Sequence, residues 1–293
     1  MRKSKKTEPG LERIAFQGEQ GAFSEQAVRN LLGVEAQTVP CAWFDTVFKS
    51  LHNGDVTGAV IPIENTLHGS IHENYDHLVH FGLPIVAETN VRIVHNLIAL
   101  PGVQFRRVKR VYSHPVALAQ CVKFFESHPE IERVPFYDTA GSVKMLTEER
   151  MADGAAIASA LAADAYGATI LKRSIEDDRA NFTRFFLLRP PGAQIPAAGE
   201  IAWKTSIMFT TKNTPGALFR TLSALALRDL SLTKIESRPF RGRPWEYLFY
   251  VDFLGHVAAP RVENALRHIG EQADLVRVLG CYPAWVAKKN KSA

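Results

Sequence analysis

Four short runs place polar and ionisable side chains where a strand ends or a helix begins. Asn181-Phe182-Thr183-Arg184-Phe185 sets a hydroxyl beside a guanidinium at the mouth of an apolar run, Phe186-Leu187-Leu188. An arginine entering an apolar strand is costly unless an anion pairs with it, either a protein carboxylate or a ligand. Pro62-Ile63-Glu64-Asn65-Thr66 presents a carboxylate, an amide and a hydroxyl together. Such residues either cap a helix and close a loop or hold a ligand. Tyr112-Ser113-His114-Pro115, with Gln120 following, lies just past another strand. There Ser113 or His114 caps the helix whose first turn Pro115 suits; no acid stands at triad spacing, and His114 reads as structural. Gly18-Glu19-Gln20-Gly21-Ala22-Phe23-Ser24 is a strand-to-helix turn that permits close backbone approach, and the helix N-terminus behind it favours an anion. Each run has a structural and a ligand-binding reading, and the residues alone leave both open.

Other clusters are excluded more readily. His68, His72, His77 and His80 include an i, i+4 pair but no carboxylate-completed signature, so no metal site is expected. The three cysteines, Cys41, Cys121 and Cys281, are far apart and form no Cys-x-x-Cys pair, and they read as buried small residues. The net charge of +5 is modest, and part of it sits in Arg2 to Lys6 and Lys288 to Lys291. Between these ends bases are dispersed among acids, with no aromatic-basic stripe, so nucleic acid is not an expected partner. No run approaches membrane-spanning length, and the basic start lacks a following apolar stretch; a cytoplasmic protein without membrane contact is expected.

The elements that must position these runs follow from patterning. At 293 residues the chain suggests about two domains. From Arg13 to Phe16 onward, short β-rich runs alternate with helical stretches: Ala36 to Cys41, Trp43 to Leu51, Gly58 to Ile63, Ile85 to Leu100, Val108 to Ser113, Val134 to Tyr137 and Ala155 to Ala158. This is the rhythm of a parallel α/β sheet, which places ligands past strand ends. Arg189 to Gly199 is rich in Pro, Gly and Ala and reads as a linker. Beyond it come strand Thr205 to Thr211, helix Ala217 to Arg228, strands Leu232 to Pro239 and Glu246 to Leu254, helix Arg261 to Ile269 and strand Leu275 to Tyr282. That βαββαβ order is ferredoxin-like. Leu218, Leu222 and Leu225 on its helix, and Tyr247, Phe249, Val251 and Phe253 on one strand face, are core.

Taken together, the order and spacing of the motifs resemble the prephenate dehydratase family over nearly the whole chain. Its Gly-x-x-Gly turn with a following Ser is similar to Gly18 to Ser24, and its Pro-Ile-Glu-Asn run with Gly-Ser matches Pro62 to Asn65 with Gly69 and Ser70. Its Ser-His-Pro with Gln-Cys matches Ser113 to Pro115 with Gln120 and Cys121. Its Thr-Arg-Phe is Thr183-Arg184-Phe185 after Asn181, and its Ala-Ile-Ala-Ser before Tyr166-Gly167 is Ala156 to Ser159. Several separated motifs in this order are hard to obtain by chance. The C-terminal part resembles an ACT regulatory domain through Gly216-Ala217-Leu218 and Glu236-Ser237-Arg238-Pro239, motifs associated in that family with phenylalanine binding.

The resemblance implies a catalytic region over 12–189, built as two α/β lobes like type II periplasmic binding proteins with a cleft between them, a linker over 190–203 and an ACT domain over 204–284. About a dozen residues precede the first strand, so a fused chorismate mutase domain is not expected. It implies Thr183, Glu64, Asn65, Gln120 and Ser113 as catalytic residues, and Arg184, Phe185, Ser24, Ala22, Ser159, Asn181 and Asp138 as substrate contacts. Thr183 would hydrogen-bond the leaving hydroxyl of prephenate, and Arg184 would take a carboxylate. Neither cofactor nor metal is implied. Phenylalanine as allosteric inhibitor and a homodimer or homotetramer are expected, with arogenate or cyclohexadienyl dehydratase and a non-catalytic amino-acid sensor as rivals.

Overall fold

The computed structural model describes residues 12–240, 243 and 245–286. The chain divides into two compact units. The larger holds two sheets. In the first, β1 (Arg13–Gln17), β2 (Gln37–Cys41) and β3 (Gly58–Asn65) are linked by α1 (Phe23–Leu32) and α2 (Phe44–Asn53), with β1 parallel to both neighbours. Ile14, Ala15 and Phe16, and Ala59 to Ile61, are shut off from solvent, which is why these parallel strands are continuous apolar runs. β4 (Gly69–Ser70) folds back antiparallel on the end of β3, and α3 (His72–Phe81) leads to β5 (Ile85–Arg92).

The second sheet uses β6 (Asn96–Ala99), β7 (Arg110–Ser113), β8 (Glu132–Pro135), β9 (Gly154–Ala158) and β10 (Thr169–Lys172), in the order β10-β6-β9-β7-β8. Between these strands run α4 (Pro115–Ala119), α5 (Val122–Glu126), α6 (Thr139–Glu148) and α7 (Ala160–Ala165). β11 (Phe182–Leu188) then lies beside β3. β5 and β11 each contribute residues to both units.

Three expectations change. The second sheet is mixed: β7 is parallel to β8 and β9, but β6 runs antiparallel to both β9 and β10. The run Ile85 to Leu100 is two strands, and Glu64 and Asn65 close β3 instead of lying beyond it. The break in that run is where the chain crosses between sheets, at residues 93–95, and it returns through residues 173–181. The crossovers hold each other: the Ile93 and Ile175 backbone N–H groups donate to the carbonyls of Asn181 (2.8 Å) and His95 (2.9 Å), and the His95 backbone N–H donates to Glu176 Oε2 (3.0 Å). Arg92 pairs with the other Glu176 oxygen at 3.0 Å.

The smaller unit contains β12 (Trp203–Thr211), α8 (Ala217–Ala226), β13 (Leu232–Pro239), β14 (Tyr247–Leu254), α9 (Pro260–Gln272) and β15 (Leu275–Pro283). Its strand order, β13-β14-β12-β15 with antiparallel neighbours, is the ferredoxin-like arrangement. Ile207, Phe209, Val251 and Phe253 pack against Ala224, Leu225, Ala265 and Ile269 of the two helices. Residues 189–202 carry no helix or strand.

The β1–α1 turn needs its second glycine. Gly21 has φ +84, and a Cβ there would meet the Ala162 Cα at 2.4 Å. Ser159 Oγ, the N-cap of α7, donates to the Gly21 carbonyl (2.5 Å), so the turn is clamped onto that helix. Gly21→Ala is therefore expected to destabilise the chain by about 2–4 kcal/mol, from the left-handed penalty plus overpacking, measured by denaturant unfolding.

Candidate active site

Thr183 is the second residue of β11, and a strand's period of two sends its side chain to the face away from Arg184. It lines a cavity of about 430 Å³ within the larger unit. The buried side chains around it form a chain of hydrogen bonds whose direction can be derived. The Leu67 and His68 backbone N–H groups both point at Asn65 Oδ1 (2.9 and 3.0 Å). Backbone N–H groups only donate, so the opposite end of that amide is its NH₂. The NH₂ shares its hydrogens among Asn181 Oδ1 (2.8 Å), Thr183 Oγ1 (3.0 Å) and the Phe182 carbonyl (3.1 Å). Asn181 in turn donates to Gln120 Oε1 at 2.9 Å.

Two consequences follow. Thr183 Oγ accepts from Asn65, so its own proton is left to point into the cavity as a donor. Gln120 turns its NH₂ toward His68 Nε2 (3.3 Å), and an amide nitrogen cannot accept, so that imidazole nitrogen is unprotonated. The expected residues Thr183, Asn65, Gln120 and Asn181 thus form one connected unit.

The cavity is also lined by Ala22 and Ser24, at the end of the β1–α1 turn and the start of α1, and by His114, Tyr137 and Asp138, just past strands β7 and β8 of the second sheet. His114 Nδ1 accepts the Val116 N–H as N-cap of α4 (3.3 Å), which leaves Nε2 as the protonated nitrogen. The expected structural role of His114 is present, but the ring also faces the cavity. Burial pushes its pKa down, opposed by Asp138. Burial pushes the Asp138 carboxyl up, opposed by the backbone N–H groups of Gly141 and Glu19; Asp138 is also the N-cap of α6. Tyr137 donates to Glu19 (3.1 Å), and its phenol is pushed up to about 12 by burial and then by that carboxylate.

Several expected residues lie elsewhere. Ser113 is fully buried and its hydroxyl donates to the Ile157 carbonyl (2.6 Å), tying β7 to β9. Phe185 is core, and Arg184 stacks over Phe186 with its guanidinium 4.7 Å from the ring centroid. Glu64 pairs opposite Ser70 on β4. Neither it nor Arg184 is among the residues lining the cavity, and the alternation of β11 puts Arg184 on the strand face opposite Thr183. Ser159 clamps Gly21 and opens on a separate cavity of about 450 Å³. His95, whose Nε2 lies 2.7 Å from Gln120 Oε1, was missed by sequence reading, although a histidine inside the apolar run Val91 to Ala99 was a visible signal. Among the described residues no group of three or more His, Cys, Asp or Glu is placed to hold a metal, and no helix is long and apolar enough to cross a membrane.

Comparison with known proteins points the same way. The family model described as prephenate dehydratase matches residues 14–192, and the ACT domain model matches 205–271. A curated relative from Arabidopsis thaliana, arogenate dehydratase/prephenate dehydratase 2, chloroplastic, is 44% identical over 92% of this chain and 72% of its own. Among solved structures, the prephenate dehydratase from Arthrobacter aurescens in complex with L-Phe superposes with TM-score 0.84 at 34% identity, covering 94% of this chain and 93% of that one. GqqA, described as a novel type of quorum quenching acylase, superposes with TM-score 0.87 at 34% identity over 94% of this chain and 98% of its own.

The hydrogen-bond direction is open to test by one isosteric change. Asn65→Asp keeps an acceptor for the Leu67 and His68 N–H groups but turns an oxygen toward Asn181 Oδ1 and the Phe182 carbonyl. Denaturant unfolding is expected to show a loss of about 1–3 kcal/mol, the cost of buried groups left unpaired.

Proposed function

The chain belongs to the prephenate dehydratase family and carries an ACT domain, and from that premise we propose that its substrate is prephenate, converted to phenylpyruvate, water and carbon dioxide in phenylalanine biosynthesis. Prephenate bears a hydroxyl and, on the opposite ring carbon, a carboxylate and a pyruvyl side chain. In the reaction the bond to the ring carboxylate breaks and releases carbon dioxide. Its electron pair passes through the ring as the bond to oxygen breaks, and the departing hydroxide takes a proton to become water. Aromatisation drives the process, so the enzyme's main task is to help hydroxide leave.

The observation that carries this reading is the hydroxyl of Thr183, held as an acceptor toward Asn65 so that its proton faces the cavity. A donor aimed at a leaving oxygen contributes roughly 10² to 10⁴ in rate. Threonine is a weak acid, so it relays and stabilises more than it supplies a proton. Because the hydroxyl and the carboxylates are at opposite ends of the ring, the carboxylates would lie away from Thr183, and among the other lining residues the Ser24 hydroxyl and the His114 Nε2–H would serve as neutral donors. Neutral donors hold a carboxylate without stabilising it as strongly as an arginine, which suits a group that must leave. Asn65, Gln120 and Asn181 orient Thr183, while Ser113 and Ser159 support the walls.

Dehydration of arogenate is a second reading, favoured by Asp138 on the cavity wall, where an ammonium would find a carboxylate. An acylase needs a nucleophile beside a base, whereas the Thr183 hydroxyl has the Asn65 amide as its partner. We assign phenylalanine binding to Gly216, Ala217 and Leu218 at the start of α8 and to Glu236, Ser237, Arg238 and Pro239 at the end of β13. It would act through ACT domains paired in a cytoplasmic dimer or tetramer. The domains follow the motifs: catalytic over 12–189, linker 190–203, ACT 204–284.

Purified protein mixed with prephenate at neutral pH is expected to form phenylpyruvate, read by its absorbance in alkali. Thr183→Ala should lower kcat by about 10²- to 10⁴-fold, Thr183→Ser should restore part of that loss, and phenylalanine should inhibit the wild type. Turnover of arogenate alone would select the second reading, and turnover of neither would overturn both.

A further inference from the structure

The chain of amides that orients Thr183 is fixed at one end by backbone. At the other end it terminates on His95, a residue nearly closed to solvent on the crossover at residues 93–95. His95 Nε2 lies 2.7 Å from Gln120 Oε1, the same oxygen that accepts from Asn181. The ring also packs edge-on against Phe23, with centroids 5.8 Å apart, and its backbone N–H is held by Glu176.

We propose that His95 is a positioning residue for the dehydration, a neutral imidazole carrying its proton on Nε2, which locks Gln120 and through it the direction of every hydrogen bond leading to Thr183. The tautomer follows from geometry. A lone pair on Nε2 would face the Gln120 oxygen across 2.7 Å, acceptor against acceptor. Protonation of both nitrogens would strand an N–H at Nδ1, which is buried with no partner. Without the imidazole donor, Gln120 Oε1 retains only Asn181, and the Gln120 amide is free to rotate. Rotation sets its NH₂ against the Asn181 NH₂, turns Asn181 over, and removes the acceptor that keeps the Asn65 NH₂ in place beside Thr183.

The charged and titratable groups around the ring agree. Burial pushes His95 below the ordinary histidine value, opposed by its hydrogen bond to Gln120 and by the charge of Glu176. Glu176 is itself paired with Arg92, and His68 reaches the ring only through Gln120. Unfolding exposes an ordinary histidine, so the unfolded chain takes up the proton first. Stability that the wild type has above about pH 6.5 is therefore lost progressively as pH falls below that value towards the lower folded one, and a His95→Gln variant does not share the loss.

The role rests on the dehydratase reading, and the test separates the two. His95→Leu removes the donor and His95→Gln offers an amide donor on a side chain of similar reach. On prephenate, His95→Leu is expected to lower kcat by about 10- to 100-fold with KM changed far less, since misplacement costs rate more than binding, and His95→Gln to recover most of that loss. Nitrogen-15 spectra of histidine-labelled wild-type protein should show His95 as the neutral Nε2–H tautomer at a pH where ordinary histidines are charged. Equal losses in both variants, a loss confined to KM, an Nδ1–H tautomer, or ordinary titration of the ring would overturn the role. A wild type that turns over neither prephenate nor arogenate would instead overturn the dehydratase reading, and the spectra would still decide the tautomer even if His95→Leu did not fold.

Discussion

Two backbone N–H groups converging on one side-chain oxygen, those of Leu67 and His68 on Asn65 Oδ1, set the sense of the whole site. The segment after β3 cannot turn back into β4 without presenting them, and Asn65 satisfies both. Because a backbone N–H never accepts, the amide has one orientation, and each later contact inherits its direction. Asn181, Gln120, Thr183 and His68 are thereby assigned as donor or acceptor without any appeal to hydrogen positions. A hydroxyl that would otherwise rotate freely is left with its proton toward the cavity. Such prearranged dipoles need no reorganisation when charge develops on a leaving oxygen, which is where enzymes gain most.

The fold explains why that chain of amides sits where it does. Both passages of the chain between the two sheets meet there: residues 93–95 carry His95, and residues 173–181 end in Asn181 just before Thr183. The mutual backbone hydrogen bonds of the passages, with Glu176 bridging the His95 N–H and Arg92, make a rigid base. Thr183, Asn65 and Gln120 are brought together on it from β11, β3 and the C-cap of α4. Further lining residues, Ser24, His114 and Asp138, come from the first turn of α1 and from the segments just past β7 and β8.

Much of this was legible in the chain. The ferredoxin-like unit was readable element by element because its helices are amphipathic and its strands are β-rich runs between turn residues, although Tyr247, expected in the core, is exposed while its neighbour Leu248 is buried. The motifs around Thr183, Asn65 and Gln120 were likewise visible as polar runs at strand ends. Legibility failed where one residue type serves two purposes. Ser113, expected as a catalytic residue, and Ser159, expected as a substrate contact, donate their hydroxyls to the Ile157 and Gly21 carbonyls, a structural role that their positions in the sequence do not announce. Arg184 sits beside Thr183 in sequence and, by the two-residue period of a strand, on its other face, an inference open from the sequence. The mixed second sheet was not legible, because its antiparallel member β6 is short and continues an apolar run. Nothing local marks the reversal except His95 and Asn96, the polar pair that breaks it.

The role of Thr183 depends on which end of the substrate meets it. The most direct measurement is a crystal structure of the Thr183→Val variant, which removes the donor while keeping the shape, with prephenate bound. The ring hydroxyl is expected against residue 183 and the two carboxylates near Ser24 and His114. A carboxylate lying against residue 183, with the hydroxyl near Ser24 and His114, would contradict that role.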